Sequence, residues 1–530
     1  GLKNSVAKEI GNRKKAILYA LKNSNPYEVI LIAGKGHEKY QDLGKRKIFL
    51  SDKKIVKNFK ISNTLFNKKN NNLKYNGAIL KKVLKTKKNY FFDGVSINSQ
   101  KIKKKNLFIA IKGKRKDGHN FLKQAIKNGA SYCVISRPNK KEPKFIRVKN
   151  TMGFLNQLAE NKRNLSSAKF IAVTGSSGKT TVKTMLGNLL REHSKTYFSP
   201  QSYNNQYGVP LSISNINPED DFGVFEVGMS KFREIHKLST LIKPHIGIIT
   251  NISEAHLENF RNTRDIAKAK SEIIQNIEKG GTAILNRDDK FFNYFKKIAE
   301  KNKIRIKSFG YSKKSDVRFI GIKKEKNNFL LKLSVDKKNL LLKINNNNKN
   351  YTMNVLCCIA TINELNLVLH KVKNFFKTQT FLAGRGKINK IKKFHKKFFL
   401  VDESYNANPL SVRSAIENFS DIRKKGKRKY FLFGDMLELG KNSHTYHKKI
   451  SKFINNSDID KTFVYGDESI QTYKLLKKSK RGDIVKDLKS FNSTISQVLK
   501  NGDFLMIKGS NATKLYEISK NLLRGDTNAL

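Results

Sequence analysis

The chain has 530 residues, of which 38% are hydrophobic, so it is long and apolar enough to form several folded domains. Its formal net charge is +66, but the lysines are spread over nearly every segment, so this charge indicates no specific nucleic-acid partner. No apolar run is long enough to span a membrane, and three cysteines are too few for a disulfide framework, which favours a reducing, cytoplasmic location.

Residues 1–60 form a preface that is too short to bury a core of its own. Residues 14–21 have the pattern of a short helix, and residues 28–33 have the pattern of a buried strand. This strand leads into the run GKGHE at 34–38, where ionisable groups follow a strand as they do in α/β ligand sites. The stretch 53–76 is rich in lysine and asparagine and is typical of a linker.

Residues 77–165 have the pattern of a small mixed α/β unit, and nothing in their sequence indicates catalysis. Strands are expected at 107–111 and 131–135, with a helix at 122–128 between them. His119 follows an Asp-Gly pair, and a histidine in this context is more often a turn or cap residue than a catalyst.

Residues 166–378 alternate strand and helix patterns, as in a parallel sheet. They open on an apolar strand that ends in the run TGSSGKTT at 174–181, and a helical pattern follows. This context favours a phosphate-binding loop, in which Lys179 contacts phosphate oxygens and the Thr180 hydroxyl binds Mg²⁺. The common motif has glycine at the position of Val173, so an ordinary glycine-rich turn is the alternative.

Three ionisable residues further along the chain are candidates for a functional site. Glu226 ends an apolar strand, and we favour a shared Mg²⁺ with Thr180 over the role of a surface glutamate. Lys270 shares the apolar face of a helix at 265–277, where an amine must be paired, chemically changed, or extended to solvent. His256 lies at a strand-to-helix junction and is either a neutral metal ligand or a helix-cap residue.

Residues 379–530 alternate strands and helices again. Polar clusters follow three of the expected strands, namely DESYNANP at 402–409, GDMLELG at 434–440 and KGSN at 508–511. Ligand sites of open α/β sheets lie at the carboxyl ends of the strands, so these clusters are candidate binding residues.

Nine motifs occur in the order that is seen in Mur ligases, and the chain resembles this family over residues 77–530. The motifs are TGSSGKTT (174–181), NN with GVP (204–210), EVG (226–228), AHLE (255–258), AKAK (267–270), NRDD (286–289), GRG (384–386), SYNANP (404–409) and GDMLELG (434–440). The resemblance implies an α/β fold of three domains: a small mixed UDP-sugar-binding domain (77–165), a central phosphate-loop ATPase domain with a mostly parallel sheet (166–378) and a C-terminal Rossmann-like domain (379–530).

The preface is similar to the C-terminal end of a second member of the same family, through the run IAGKGHE at 32–38. We therefore expect residues 1–60 to be the remnant of a fused second ligase together with a linker.

The resemblance implies an ATP-dependent peptide ligase of peptidoglycan precursor synthesis that is cytoplasmic and monomeric, with ATP and Mg²⁺ as cofactors. The runs SYNANP and GDMLELG favour the family member that joins D-alanyl-D-alanine to UDP-N-acetylmuramoyl-tripeptide through an acyl phosphate. The alternatives are a sibling ligase with another amino donor, a basic nucleic-acid-binding protein with a phosphate loop, and a catalytically inactive remnant.

The same resemblance implies a role for each residue that matches a family motif. For ATP these residues are Gly175, Ser176, Ser177, Gly178, Lys179, Thr180, Thr181, Asn286, Asp289, Arg385 and Asp402. For Mg²⁺ they are Thr180, Glu226, His256 and a carbamylated Lys270, and the implied catalytic residues are Lys179, Lys270, His256 and Arg385. The implied substrate contacts are Ser99, Asn204, Asn205, Tyr405 and Asn406.

Three positions depart from the family pattern. NSQ at 98–100 stands where the family has Asp-Ser-Arg, KGSN at 508–511 stands for Lys-Gly-Ser-Arg, and Asp402-Glu403 stands for Asp-Asp. The first departure affects the expected contact with UDP.

Overall fold

The computed structural model describes residues 10–23, 30–33, 40–42, 47–49, 51–52, 55–56, 71–113, 116–137, 143–325, 328–379, 383–422 and 426–524. The chain divides into two compact units, Gly1–Ser167 and Ala168–Leu530. No helix within these described ranges is long and apolar enough to cross a membrane.

The first unit contains a small parallel sheet with helices. Its described helices are α1 (Arg13–Asn23), α2 (Asn71–Leu84), α3 (Leu122–Lys127) and α4 (Thr151–Leu165), and its strands are β1 (Tyr40–Asp42), β2 (Lys47–Phe49), β3 (Val95–Ser96), β4 (Asn106–Ile109), β5 (Ala130–Ile135) and β6 (Phe145–Arg147). Strands β3 to β6 pair in parallel and in sequence order, whereas β1 and β2 pair antiparallel. Phe108, Leu122 and Cys133 are buried in a core that this sheet shares with α3.

The predictions for the first sixty residues are partly confirmed. Helix α1 covers the helix that was expected at 14–21. The strand expected at 28–33 is wrong in its described part, because 30–33 form no strand and Leu31 is 87% exposed. The run GKGHE at 34–38 lies outside the described residues, so its predicted role stays a prediction.

The linker expected at 53–76 is also shorter than predicted, because α2 already begins at Asn71. Asn76 is buried, and its side-chain amide donates to the carbonyls of Phe92 at 3.2 Å and Asp93 at 2.7 Å. These bonds fasten α2 to the segment that leads into β3, which a count of lysines and asparagines could not reveal.

The second unit contains a large sheet that is covered by helices. Its helices are α5 (Lys179–Arg191), α6 (Gly208–Ser214), α7 (Glu234–Ile242), α8 (Thr263–Gln275), α9 (Phe292–Lys301), α10 (Lys349–Glu364) and α11 (Phe375–Thr378). Its strands are β7 (Lys169–Thr174), β8 (Thr196–Phe198), β9 (Phe222–Glu226), β10 (Ile246–Ile249), β11 (Thr282–Asn286), β12 (Arg305–Gly310), β13 (Val317–Lys324), β14 (Phe329–Val335) and β15 (Lys338–Ile344). Across the described residues these nine strands pair in the order β8-β9-β7-β10-β11-β12-β13-β14-β15, and all pairs are parallel except β13–β14 and β14–β15.

The same unit contains a second sheet. Its helices are α12 (Pro409–Asp421), α13 (Ser443–Asn455), α14 (Ser469–Lys474), α15 (Leu488–Val498) and α16 (Leu515–Leu523). Its strands are β16 (Lys387–Lys393), β17 (Lys396–Glu403), β18 (Lys429–Gly434), β19 (Lys461–Tyr465), β20 (Arg481–Ile484) and β21 (Phe504–Lys508). In the part of the chain that the structure describes, these six strands pair in the order β16-β17-β21-β18-β19-β20, with only β16–β17 antiparallel. The predicted α/β fold with mostly parallel sheets is therefore confirmed.

Strand β7 is an interior strand of the large sheet and pairs with β9 on one side and β10 on the other. Its residues from Phe170 to Thr174 are all buried, as expected for a parallel strand that helices cover on both faces. Helix α5 follows it and packs Val182, Leu186 and Leu189 into the core of the sheet. Because neighbouring parallel strands end at one edge, the residues that follow β7, β9 and β10 converge there.

The boundary observed between 167 and 168 lies close to the predicted start of the central domain at 166. Both sheets of the second unit belong to one compact unit, so the boundary expected between 378 and 379 stays a prediction. It falls between the end of α11 and the start of β16.

Candidate active site

The phosphate loop predicted from TGSSGKTT connects β7 to α5. Gly175 has a φ of +147°, and a Cβ there would lie 1.9 Å from Thr250 Oγ1. Gly178 has a φ of +79°, and a Cβ there would lie 2.9 Å from Asn354 Oδ1. Glycine is required at both positions for conformation and for space. Val173 stands where the common motif has glycine. It is a buried residue of β7, so its backbone has a strand conformation that does not require glycine.

The residues that follow β10 hold this loop in place. The Ser176 N–H donates to the carbonyl of Asn251 at 2.9 Å, and the Ser177 N–H donates to Asn251 Oδ1 at 3.0 Å. The Thr250 hydroxyl donates to the carbonyl of Ser177 at 2.6 Å. The N–H groups of Ser176 and Ser177 are therefore already hydrogen-bonded. An anion would instead bind the N–H groups in the first turn of α5.

Two lysines of α5 lie beside the loop. Lys179 Nζ donates to the carbonyl of Gly175 at 2.8 Å, and burial lowers the pKa of the Lys179 amine. Lys183 is 1% exposed, and its Nζ donates to the carbonyls of Ser199 and Gln201, both at 2.6 Å. Burial lowers the pKa of Lys183 to about 8. Lys183 therefore ties α5 to the segment that follows β8.

Glu226 ends β9 with its carboxylate buried at the same edge of the sheet. Its Oε1 accepts a hydrogen bond from Asn204 Nδ2 at 2.8 Å. Its Oε2 is buried and has no hydrogen-bond partner among the described residues. A buried carboxylate oxygen is costly without a donor or cation, and carboxylate oxygens are ligands that Mg²⁺ prefers. This orphaned oxygen therefore fits the predicted metal role.

Lys270 is buried on the apolar face of α8, as its spacing predicts, whereas Lys268 is exposed. A side chain that is 1% exposed does not extend to solvent, so the snorkelling alternative is excluded. Burial, and secondarily the charge of Lys179, lower the pKa of Lys270 well below its ordinary value. The neutral amine is the form that reacts with carbon dioxide, so its environment fits the predicted carbamate.

His256 lies in the loop after β10 and approaches the second sheet. Its Nδ1 lies 2.5 Å from Oε2 of Glu438, which follows β18. This contact with His256, and to a smaller degree the charge of Lys179, lower the pKa of the Glu438 carboxyl. His256 and Glu438 line the same cavity as Lys179.

Arg385 connects the second sheet to the phosphate loop. Its Nη2 donates to Thr180 Oγ1 at 2.9 Å, and its guanidinium lies 4.2 Å from the ring centroid of Tyr405. The Tyr405 hydroxyl donates to Ser202 Oγ at 2.6 Å, and Ser202 Oγ lies 3.2 Å from Thr180 Oγ1. These four side chains form a closed ring of contacts between the two sheets.

A cavity of about 940 Å³ is lined by Lys179, Thr180, Glu226, His256, Arg385, Tyr405 and Glu438, whereas Lys183 and Lys270 are not part of its lining. Its wall on the side of β11 includes Asn286, Asp288 and Tyr311. Asn286 also donates through Nδ2 to the carbonyl of Thr250 at 3.2 Å. Ligand pockets commonly have roughly 300–1,000 Å³, so this cavity is large enough for a nucleotide and a second reactant.

Asp289 is predicted to contact the nucleotide, but it does not line this cavity. Its carboxylate accepts hydrogen bonds from the backbone amides of Ile252 at 2.7 Å and Phe291 at 2.9 Å. Burial raises the pKa of its carboxyl. Asp289 braces the loop after β10, while its neighbour Asp288 faces the cavity.

Asp402 likewise does not line the cavity, although Glu403 does. The Asp402 carboxylate is buried and accepts from the Gly384 amide at 2.9 Å and from the Ser404 hydroxyl at 2.6 Å. It therefore shapes the turn that presents Arg385, and its direct contact with ATP stays a prediction.

The predicted peptide contacts divide into two groups. Tyr405 and Asn406 line the cavity. Asn204 also lines it, but its amide is engaged by Glu226. Asn205 Oδ1 accepts from the backbone amides of Tyr207 and Gly208 at the start of α6, so its oxygen has a structural role.

Ser99 lies in the first unit and is buried. Its hydroxyl donates to Gln124 Oε1 at 2.7 Å. Asn98 Oδ1 accepts from the backbone amide of Gln100 at 2.9 Å, and an aspartate at this position would cap the turn in the same way. The departure at Asn98 therefore preserves the local turn, and the contact of Ser99 with UDP stays a prediction.

Three residues at the site have no individual role in the sequence-based prediction. Glu438 lies within the GDMLELG run, Ser202 stands beside the paired asparagines, and Lys183 is one turn beyond Lys179. Helical spacing could have identified Lys183, because it assigns this charged residue to the buried face of α5. No local signal exists for the partners of Glu438 and Ser202.

No three His, Cys, Asp or Glu side chains converge on a metal position within the described residues. The predicted set contains only two such residues, Glu226 and His256, and depends on Thr180 and a carbamate on Lys270 for its other oxygens. The orphaned Oε2 of Glu226 and the buried amine of Lys270 fit this set.

The fold and site define an α/β protein with a phosphate loop, and comparison with known proteins identifies its family. Three family models match the chain: Mur ligase family, catalytic domain (92–163), Mur ligase middle domain (173–362), and Mur ligase, glutamate ligase domain (390–511). The chain is 32% identical over 428 residues to the UDP-N-acetylmuramoyl-tripeptide--D-alanyl-D-alanine ligase of Rickettsia prowazekii, a match that spans 80% of this chain and 94% of that protein. The chain therefore belongs to the Mur ligase family of ATP-dependent ligases.

Two further comparisons agree with this assignment. The ligase of the same name from Bacillus subtilis is 29% identical over 436 residues, which are 81% of this chain and 93% of that protein. The crystal structure of MurF from Acinetobacter baumannii superimposes with a TM-score of 0.73 at 25% identity and covers 84% of this chain and 98% of that chain. These matches span both sheets of the second unit.

Proposed function

We propose that this chain joins D-alanyl-D-alanine to UDP-N-acetylmuramoyl-tripeptide and converts ATP to ADP and phosphate. The observation that carries this proposal is the cavity in which Lys179 and Glu226 of the large sheet meet Arg385 of the second sheet. Curated relatives with this name match over more than nine-tenths of their length, so the chain spans nearly all of such an enzyme.

The first chemical step is transfer of the γ-phosphoryl group. An oxygen of the tripeptide carboxylate forms a bond to the γ-phosphorus, and the bond to the bridging oxygen of ADP breaks. Lys179 and Arg385 stabilise the negative charge on the transferred oxygens. Approach of the polyphosphate also favours the ammonium form of Lys179, which burial alone disfavours.

The second step forms the amide. The amine of D-alanyl-D-alanine attacks the carbonyl carbon of the acyl phosphate, the new C–N bond forms, phosphate leaves with the C–O electrons, and the amine proton is released. The protein contributes chiefly by holding the two reactants in one cavity. Tyr405 and Asn406 are our candidates for contacts with the peptide reactants, because both line that cavity.

Thr180, Glu226, His256 and Lys270 as its carbamate are the proposed Mg²⁺ ligands. Bound Mg²⁺ would neutralise phosphate charge. Glu226 contributes a buried carboxylate for this purpose, and Arg385 holds the Thr180 hydroxyl in place.

The remaining assignments follow the family resemblance. We infer that residues 77–165 bind the UDP-sugar, with Ser99 among the contacts, and that Asn286 lies near the adenine. Use of ATP and a nucleotide-linked substrate supports a cytoplasmic location, and the monomeric state stays a prediction.

A reaction with defined substrates tests the proposal. The full chain is incubated with ATP, Mg²⁺ and UDP-N-acetylmuramoyl-tripeptide, with and without D-alanyl-D-alanine, and the products are measured by mass spectrometry. We expect a product whose mass is the sum of the two substrates less one water, formed only with the dipeptide. A product with a free amino acid in place of the dipeptide would identify a sibling ligase, and no product with any amine would contradict ligase activity.

A further inference from the structure

A buried lysine of the second sheet, Lys508, lines the cavity together with Tyr405 and Asn406. We propose that Lys508 binds the C-terminal carboxylate of the dipeptide and thereby selects an amino donor that ends in a carboxylate. This inference rests on the proposed function, because the dipeptide is one of its two reactants. It gives a partner to the charge of the dipeptide that the ligation reaction does not use.

The dipeptide brings a negative charge into the cavity. Its carboxylate is ionised at neutral pH and loses water on binding, so a cation or hydrogen-bond donors must replace that water. Among the described residues that line the cavity, the lysine and arginine side chains are Lys179, Lys349, Arg385 and Lys508. One of these four cations is therefore the expected partner of the carboxylate.

The positions of the four cations favour Lys508. Lys179 and Arg385 lie at the phosphate loop, where the polyphosphate of ATP is expected. Lys349 begins α10, and its Nζ lies 5.4 Å from the ring centroid of Tyr311, in the wall on the side of β11. Lys508 is the cation that the second sheet supplies beside the proposed peptide contacts.

The ammonium of Lys508 has donor capacity for a ligand. Its Nζ donates to Glu403 Oε2 at 3.2 Å and to the carbonyl of Asn406 at 3.1 Å. An ammonium has three N–H donors, so these two bonds leave one for a ligand carboxylate. Lys508 is 2% exposed, so water screens its charge little, and a charge-assisted hydrogen bond there is strong.

The run KGSN at 508–511 holds Lys508 against the loop of the SYNANP run. Asn511 Nδ2 donates to the carbonyl of Tyr405 at 3.4 Å, and Lys508 holds the next carbonyl, that of Asn406. Because Asn511 stands where the family has arginine, Lys508 is the cation that remains in this run. It ends β21 at the carboxyl edge of the second sheet, where open α/β sheets bind ligands.

The same loop connects Lys508 to the reacting groups. Tyr405, which precedes Asn406, lies with its ring centroid 4.2 Å from the guanidinium of Arg385. Two adjacent residues thus join the cation proposed for the carboxylate to the cation proposed for the transferred phosphoryl group. Two extended residues span about 7 Å. A dipeptide held by its carboxylate at Lys508 can therefore extend its amine along this loop toward Arg385.

Discrimination between D-alanyl-D-alanine and its C-terminal carboxamide tests the contact. Binding of each to the full chain is measured by isothermal titration, with a non-hydrolysable ATP analogue and UDP-N-acetylmuramoyl-tripeptide present. The parent should bind the carboxamide about 10- to 100-fold more weakly, because a hydrogen bond to a charged group is lost. Lys508→Met should bind the two ligands equally. In ligation, it should raise the KM for the dipeptide by a similar factor and change the KM for ATP little.

Two further variants separate this contact from a general change of the site. Glu403→Gln removes the carboxylate that shares Lys508, so the preference for the acid over the carboxamide should increase. Lys520→Ala removes an exposed lysine of α16 and should behave as the parent does. General loosening of the fold would weaken both ligands alike, so the preference between them reports on the contact itself.

Three outcomes would overturn the proposal. They are equal binding of the acid and the carboxamide by the parent, a preference for the acid that persists in Lys508→Met, and a preference that disappears in Glu403→Gln. Any of them in a chain that ligates the dipeptide would leave the proposed function intact. Binding of the acid that depends on Lys508, in a chain that forms no amide bond, would refute the proposed function alone.

Discussion

The guanidinium of Arg385 lies 2.9 Å from the hydroxyl oxygen of Thr180, although 205 residues separate them in the chain. Thr180 is in the first turn of α5, at the phosphate loop, and Arg385 precedes β16 of the second sheet. The same guanidinium stacks on Tyr405. One arginine thus joins the two halves of the site at the position where phosphate charge develops.

Replacement of Arg385 tests the importance of this geometry. We expect Arg385→Ala to lower kcat by about 100-fold or more, because a donor aimed at the transferred phosphoryl group is lost. Arg385→Lys should restore little of the lost kcat. The lysine ammonium lacks the planar set of N–H donors of a guanidinium and does not stack on the ring of Tyr405 in the same way. Steady-state kinetics of phosphate release measure both variants. A lysine variant with nearly the parent kcat would show that charge alone suffices.

Lys179→Ala should reduce ligation by about 100- to 1,000-fold, because it removes the cation of the phosphate loop. The unfolding midpoint should not fall, since desolvation disfavours the charged Lys179 amine and its bond to Gly175 lies within the loop. Lys268→Ala, which removes an exposed lysine, is the matched control. Product formation and thermal unfolding are measured together. Near-parent turnover in Lys179→Ala would refute the role of this loop.

Lys270→Ala should lower turnover by about 10- to 100-fold, and a small carboxylic acid such as acetate should restore part of the loss. The neutral amine and carbon dioxide form a carbamate with release of a proton. In the variant, the carboxylate of acetate would take the place of the missing carbamate group. A carbamate carbon signal after growth in ¹³C-bicarbonate is the direct measurement. Full activity of the variant, or no such signal in the parent, would contradict the carbamate.

The buried Lys183 predicts a dependence of stability on pH. Its folded-state pKa is about 8, below the ordinary value of 10.5. Between these values the unfolded chain binds a proton that the folded chain has lost, so Lys183 makes stability rise with pH across this window. As pH falls through 8, that contribution is lost.

The difference in the free energy of unfolding between the parent and Lys183→Met isolates this effect. The difference should increase across the window by at most about 1.4 kcal/mol per pH unit. Urea unfolding at several pH values between 8 and 10.5 provides the measurement. A difference that is flat with pH would show that Lys183 keeps its ordinary pKa.

Ser202 and Tyr405 should be energetically coupled, because their hydroxyls are 2.6 Å apart across the two sheets. A double-mutant cycle with Ser202→Ala and Tyr405→Phe should give a coupling of about 1 kcal/mol in kcat/KM for ATP. Thr472→Ala in α14 serves as the control partner, because the Thr472 hydroxyl donates to the carbonyl of His447 in α13, on the same side of the contact as Tyr405. Additive effects of the Ser202 and Tyr405 changes would show that the contact is absent during turnover.

Local sequence was sufficient to predict the elements that carry the site. The apolar run into β7, the glycines after it and the amphipathic α8 depend on neighbouring residues, and the structure confirms each of them. The burial of Lys270 was predictable for the same reason, because helical spacing alone assigns it to the inner face. The strand expected at 28–33 shows the limit, since a short apolar run can satisfy a strand pattern without a sheet to join.

Tertiary structure decided which side chains meet. Nothing in the runs around Glu438 and His256 indicates that they touch, and the same is true of Arg385 with Thr180. Asp289 and Asp402 show the converse, because each belongs to a strand-end cluster but turns to backbone amides while its neighbour faces the cavity. The periodicity of the sequence predicts which face of a single helix or strand is buried. The contacts named above depend instead on how two sheets pack together, and that packing is set by burial of residues far apart in the chain.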